Sequence, residues 1–347
     1  MQLTIHDIAF GGKGVGRTEG MVVFVPFTIP GEEVTVELYR KKKRYAEADL
    51  VSVDKPSPDR VEPLCPYFGR CGGCAYQHID YPAQLAIKSA QVEQTLRRVG
   101  KLEKVPMRPA IGSPKPYAYR NRIRVHVVGG VTGFFAADAN ALIDIARCPI
   151  ATDEVNEKLT GLRSRSMPDG DYTLSERRKE GFFEQTNNAV AIEMLALVER
   201  LVMPGGTLVD AYCGAGFFAR HLASRFDQVI GIEENEYAVQ HARSAAGPNE
   251  RYLAGDVNEH LGDVLGNPSE TSLVLDPPAA GITPEVVQTI LAALPREIIY
   301  VSCNPGTLAR DLSALSPNYR LESVTPLDMF PQTAEIEVVV QLKKREG

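Results

Sequence analysis

Five apolar runs in the rear half of the chain each end on a group that can do chemistry. They are Thr207-Leu208-Val209-Asp210, Val229-Ile230-Gly231-Ile232-Glu233, Tyr252-Leu253-Ala254-Gly255-Asp256, Ser272-Leu273-Val274-Leu275-Asp276 and Ile299-Tyr300-Val301-Ser302-Cys303. Runs of this length between helical stretches read as strands of a parallel sheet, where ligands bind beyond the carboxyl ends. All five groups are therefore expected on one edge. The loop Asp210-Ala211-Tyr212-Cys213-Gly214-Ala215-Gly216 follows the first strand, and its glycines let a ligand come close to the backbone. A dinucleotide loop would read G-x-G-x-x-G and receive a pyrophosphate. Here Ala219 takes the third place and acids surround the loop. An acid at the first strand end suits a cationic cofactor, and Glu233 is placed for ribose hydroxyls. S-adenosylmethionine has both features. The competing account is that Asp210 and Glu233 only cap helices. Cys213 reads as a small buried residue without chemistry.

Cys303 stands just before a helix carrying Leu308, Leu312 and Leu315, and a helix N-terminus favours a thiolate. Position alone leaves a structural cysteine equally open. The C-terminal segment decides between them. Residues 321–328 and 335–342 read as a hairpin ending the sheet, and the start of its second strand returns to the catalytic edge. Glu335 and Glu337 share a face there, opposite Ile336, Val338 and Val340. A carboxylate entering a buried strand is costly unless it is used or paired. A thiolate and a carboxylate together are what methylation at carbon 5 of uracil requires. Carbon 5 becomes nucleophilic only after a thiolate adds at carbon 6, and a base must then remove the carbon-5 proton.

The elements in front of this sheet differ in character. Residues 1–54 hold short strands broken by glycine, with Lys41-Lys42-Lys43-Arg44 in a turn, which suggests a small β-barrel. Residues 55–170 form a central region with a Pro-rich start and a cysteine cluster. Residues 171–347 make up the α/β domain. Cys65, Cys71, Cys74 and Cys148 offer four thiolates, and their spacing admits either structural zinc or an iron–sulfur cluster. Charge is uneven along the chain. Residues 1–150 hold 21 Lys and Arg against 15 Asp and Glu, a net of +6, whereas residues 151–347 hold 17 against 29, a net of −12. That asymmetry suits a polyanion-binding front joined to a catalytic rear. With 44% hydrophobic and 24% charged residues, the chain is globular, and neither a membrane-spanning run nor a signal peptide is visible. The expectation is a cytoplasmic monomer with no membrane and no obligate protein partner.

Across nearly its whole length the chain resembles the bacterial RNA uracil-C5 methyltransferases that carry an N-terminal TRAM domain and an iron–sulfur cluster, above all those acting on 23S rRNA. The resemblance is carried by residues 10–30, the cysteines from Cys65, Tyr119-Arg120-Asn121-Arg122, Phe183-Glu184-Gln185-Thr186-Asn187, and residues 208–217, 273–278, 300–311 and 328–337. Its most specific part is Tyr300 to Pro305 followed by Thr307-Leu308-Ala309-Arg310-Asp311. The fold it implies is a Rossmann-like class I methyltransferase domain, with an OB-like TRAM barrel and a small iron–sulfur domain. It implies Cys303 as nucleophile and Glu337 as base, with S-adenosylmethionine held by Gln185, Tyr212, Phe217, Glu233, Asp256 and Asp276. It also implies a [4Fe–4S] cluster on Cys65, Cys71, Cys74 and Cys148, and structured RNA as partner, rRNA in preference to tRNA. Two departures stand out: Ala279 where the family usually has arginine, and Glu335 where it has histidine. They motivate the alternative of an RNA-binding protein that has lost catalysis.

Overall fold

The computed structural model describes residues 1–18, 20–137, 141–176 and 185–346. Phe183 and Glu184, part of one motif above, lie outside them. The chain divides into two units. One comprises Met1–Gln91, Ser113–Arg177 and Phe330–Glu335, the other Val92–Gly112, Arg178–Met329 and Ile336–Gly347.

In the first unit, period-two alternation of apolar residues closes a barrel. Its strands are β1 (Gln2–Ile8), β2 (Lys13–Thr18), β3 (Met21–Pro26), β4 (Glu33–Lys41) and β5 (Tyr45–Lys55), in the order β1-β2-β3-β5-β4. Leu3, Ile5, Val23, Val25, Val34, Val36, Ala46 and Ala48 fill its interior. Helix α1 (Tyr81–Arg98) follows, its residues shared between the two units. A four-stranded sheet then forms from β6 (Arg122–Val128), β7 (Val131–Phe135), β8 (Leu142–Asp144) and β9 (Gly170–Ser175), ordered β8-β7-β6-β9. Helix α2 (Asp153–Arg163) closes a core of Ile123, Val125, Ile145, Val155 and Leu159. Arg122 and Arg124 stay exposed on the opposite face of β6, as their alternation with buried residues dictates.

The cysteine cluster departs from expectation. Cys65, Cys71, Cys74 and Cys148 line one cavity of about 210 Å³, together with Phe68, Ile123, Phe134 and Ile150. Yet among the described residues no group of three or more His, Cys, Asp or Glu side chains could hold a metal ion. The four-cysteine ligand set, the [4Fe–4S] cluster and the iron–sulfur domain are thereby overturned. The α/β domain and the N-terminal barrel stand.

The second unit is built on a seven-stranded sheet ordered β12-β11-β10-β13-β14-β16-β15. Its strands are β10 (Thr207–Ala211), β11 (Gln228–Glu233), β12 (Glu250–Ala254), β13 (Thr271–Leu275), β14 (Glu297–Ser302), β15 (Tyr319–Leu327) and β16 (Glu337–Lys344). The first five run parallel, and β16 is antiparallel to both neighbours. Helices α3 (Asn188–Leu201), α4 (Phe217–Leu222), α5 (Glu236–Ser244), α6 (Val257–Val264), α7 (Pro284–Ala293) and α8 (Pro305–Leu315) connect them. Every residue of β13 and β14 is buried, the polar Thr271, Ser272, Glu297 and Ser302 included, so neither strand alternates between apolar and polar. The hairpin expected at the C-terminus is present, but β16 inserts between β14 and β15. The outer edge of β15 is covered in part by its own unit, with Met107 opposite Val324 and Ile111 opposite Leu327. Among the described residues no helix is long and apolar enough to cross a membrane.

Candidate active site

Strand order reverses at β10, with β11 on one side and β13 on the other, so a crevice opens at their carboxyl ends. Asp210 sits there fully buried. Its Oδ2 accepts a hydrogen bond from the Ala219 amide at 2.8 Å, while Oδ1 is buried without a partner among the described residues. Burial raises its carboxyl to about 8, against the pull of the Ala219 bond and helped by the charges of Asp276 and Glu233. Asp276, past the end of β13, is raised to about 7 by burial. Two neighbouring carboxyls that resist ionising describe a pocket short of positive charge.

The glycine-rich loop is held open by its backbone. Tyr212 takes a positive φ of 65°, unusual for an aromatic residue, and Gly216 follows at 86°. A Cβ at Gly216 would stand 2.8 Å from the Tyr252 hydroxyl, so only glycine fits. Glu233, ending β11, accepts from the Gly214 amide at 3.0 Å and from the Asn235 amide at 2.8 Å. Asp256 caps α6, accepting from the Asn258 amide at 2.8 Å. The capping account, offered for Asp210 and Glu233, describes one oxygen of Asp210, which takes the Ala219 amide in the first turn of α4, and Asp256 caps a helix as well. It leaves Asp210 Oδ1 without a partner among the described residues. Phe217 opens α4 with its ring against Phe218, and Gln185 lies two residues before Asn187, the cap of α3. Cys213 is buried with its thiol pushed far up by desolvation, as befits a packing residue.

Cys303 follows β14 and precedes α8, whose cap Asn304 accepts from the Gly306 and Thr307 amides at 2.9 and 3.4 Å. Pro305 at the first helical position suits that start. The thiol is half-buried, in contrast with Cys213. The register between β14 and β16 pairs Ser302 with Val338 and Val301 with Val339. Continued by one step, it sets Cys303 opposite Glu337, the first residue of β16. Directly opposed residues of an antiparallel pair project to the same face. Glu335, expected to share that strand face, precedes the strand and belongs to the other unit. The sequence reading gave no role to Tyr300 or Asp311, although Tyr300 donates to Asp311 Oδ2 at 2.7 Å in the core. The Thr307 to Asp311 run was the available signal, but its contacts are long-range.

The profile of the tRNA (Uracil-5-)-methyltransferase family matches residues 147–251 and 262–345, and that of the TRAM domain matches residues 1–51. The chain is 32% identical to an uncharacterised RNA methyltransferase of Protochlamydia amoebophila, covering 99% of each. It is 30% identical to the tRNA (uracil(54)-C(5))-methyltransferase of Schizosaccharomyces pombe, over 99% of this chain and 78% of that protein. Its structure is similar to that of the Pyrococcus abyssi tRNA (uracil-54, C5)-methyltransferase in complex with S-adenosyl-L-homocysteine, with a TM-score of 0.74, 26% identity, and 99% and 100% of the two chains covered. Both named substrates are tRNAs, which overturns the preference for rRNA over tRNA. The motifs behind that preference were read as serving uracil and cofactor chemistry, which is the same in either RNA.

Proposed function

The chain belongs to the RNA (uracil-5-)-methyltransferase family, and from that premise we propose that it methylates carbon 5 of a tRNA uridine, the one at position 54. It is an S-adenosylmethionine-dependent enzyme that carries an N-terminal TRAM barrel. The two relatives with named substrates support the choice of tRNA. The observation that supports the mechanism is the β14–β16 register, which pairs Ser302 with Val338 and, extended by one residue, would put Cys303 opposite Glu337.

The cofactor fits the residues present. S-adenosylmethionine supplies a methyl group on a positively charged sulfur. Asp210, whose buried Oδ1 has no partner among the described residues, sits at the strand edge where such a group would lie. In this reading Gln185, Tyr212, Phe217, Glu233, Asp256 and Asp276 hold the cofactor along the same strand edge. Cys303, at the start of α8, is favoured as thiolate by the helix N-terminus. Its sulfur bonds to carbon 6 of uracil, and the electron pair of the 5,6 double bond moves toward oxygen 4. Carbon 5 then takes the methyl group. Glu337 removes the carbon-5 proton, the double bond re-forms, and the thiolate leaves.

The test uses a tRNA transcript and cofactor labelled in its methyl group. Label should enter the wild-type transcript and be absent from one with cytidine in place of uridine 54. Cys303→Ala should lose about 10³-fold or more in turnover, as removal of a nucleophile does. Glu337→Gln should accumulate a protein–RNA complex that survives denaturation. Undiminished turnover in Cys303→Ala, or label confined to an RNA other than tRNA, would sink the proposal.

A further inference from the structure

The loop after Asp276-Pro277-Pro278 spends its polar groups on the helix that follows Cys303. Asn304 Nδ2 donates to the Ala279 carbonyl at 3.1 Å, and Thr307 Oγ1 donates to the same oxygen at 3.0 Å. Further along α8, Arg310 Nη2 donates to the carbonyls of Ala280 at 2.9 Å and Ile282 at 3.1 Å. The Ile282 amide donates to Asp311 Oδ2 at 3.0 Å. Asp311 is only 2% exposed, and Tyr300 and Arg310 Nε fill the rest of its carboxylate at 2.7 and 2.8 Å. Gly281, at a φ of +75°, lies so near that a Cβ would stand 2.4 Å from Asp311 Oδ2. A buried carboxylate is expensive to desolvate unless its partners are complete. Here they are complete, and the set includes the backbone of this loop. Forming α8 does not require the arrangement, because Asn304 Oδ1 already caps the helix and leaves Nδ2 for Ala279.

We propose that Thr307, Arg310 and Asp311 are positioning residues for methyl transfer: they lock residues 279–282 onto α8, so that the Asp276 strand end and Cys303 are set as one piece. The proposal rests on the reading of Cys303 as nucleophile. Strands β13 and β14 are paired up to Leu275 and Tyr300, but pairing alone leaves the two loops beyond them free to diverge. The clamp removes that freedom where the reacting groups meet. Displacement of such groups by about 1 Å can cost about 10²-fold in rate.

Thr307→Val keeps the side-chain shape and removes the donor, Thr307→Ser restores the donor, and Arg310→Lys keeps the charge without the fork. Each is compared with wild type for kcat, for KM toward tRNA, and for the thermal unfolding midpoint. Thr307→Val should lower kcat about 10- to 100-fold, with KM changed less than about two-fold and the midpoint nearly unmoved. Arg310→Lys should lower kcat about 10-fold, and Thr307→Ser should return to within about three-fold of wild type. Wild-type kcat in both Thr307→Val and Arg310→Lys would overturn the proposal. So would a loss confined to KM, or one that tracks a falling midpoint and so marks a structural role. Cys303→Ala separates the two readings. If it turns over normally, the nucleophile assignment falls; if it is inactive while the loop variants run at full rate, only the clamp falls.

Discussion

Asp210 is the clearest case of one residue shaped by its surroundings. Its carboxyl is raised to about 8 chiefly by burial, with one oxygen hydrogen-bonded and the other bare. In an unfolded chain the same group ionises near pH 4. Between those values the folded state binds more protons than the unfolded state, so this group lowers stability as pH rises from about 4 to about 8. Asp210→Asn cannot ionise and escapes that loss. In cofactor-free protein the midpoint of urea unfolding for the variant, minus that for wild type, should therefore grow as pH is raised from 5 to 8. A constant difference would mean that Asp210 is ionised throughout. That this acid would lie at a strand end was legible, because the apolar run before it fixes the phase. Its missing partner was not, since that depends on residues brought in from β11 and β13.

Elements set what single residues can reach. The strand-end positions were readable because each of β10, β11, β13 and β14 carries an apolar stretch that closes on or just before a polar group, and a parallel sheet places such ends together. The C-terminal hairpin was readable in the same way, but not its insertion of β16 beside β14, which is a choice between edges made by packing. That insertion sets the start of β16 beside the end of β14, where Ser302 pairs with Val338, while Glu335 precedes the strand. The contacts of Asp311 could not be read either, because they join a strand, a helix and a loop far apart in sequence. Gly281 gives the element-scale test. With φ at +75° and no room for a Cβ, Gly281→Ala strains the backbone and pushes against Asp311. The cost should exceed about 1 kcal/mol in chemical denaturation, more than an ordinary surface change. An alanine variant as stable as wild type would mean that the loop adapts and that its fit against α8 is loose.

At the scale of the whole molecule, net charge hides a division of labour. A chain of −6 overall is a poor polyanion ligand, yet its first 150 residues carry +6. Within the barrel, Lys13 and Arg40 are neutralised by Glu47, whereas Lys41, Lys42, Lys43 and Arg44 are fully exposed and form no ion pair with a described residue. Tyr39 and Tyr45 flank that turn, exposed by 54% and 36%, and present faces on which bases can stack. If this turn meets tRNA phosphates, each contact releases condensed counterions, and affinity falls with salt at about 0.7 to 0.9 logarithmic units per contact. Reversing all four charges should weaken tRNA binding by about 10-fold or more at low salt and flatten the slope by up to about 3. Cofactor affinity should not change, because the residues proposed to hold it lie in the other unit. A slope that stays as steep as in wild type would take this turn out of the RNA interface and leave phosphate binding to other basic residues, such as Arg122 on the exposed face of β6.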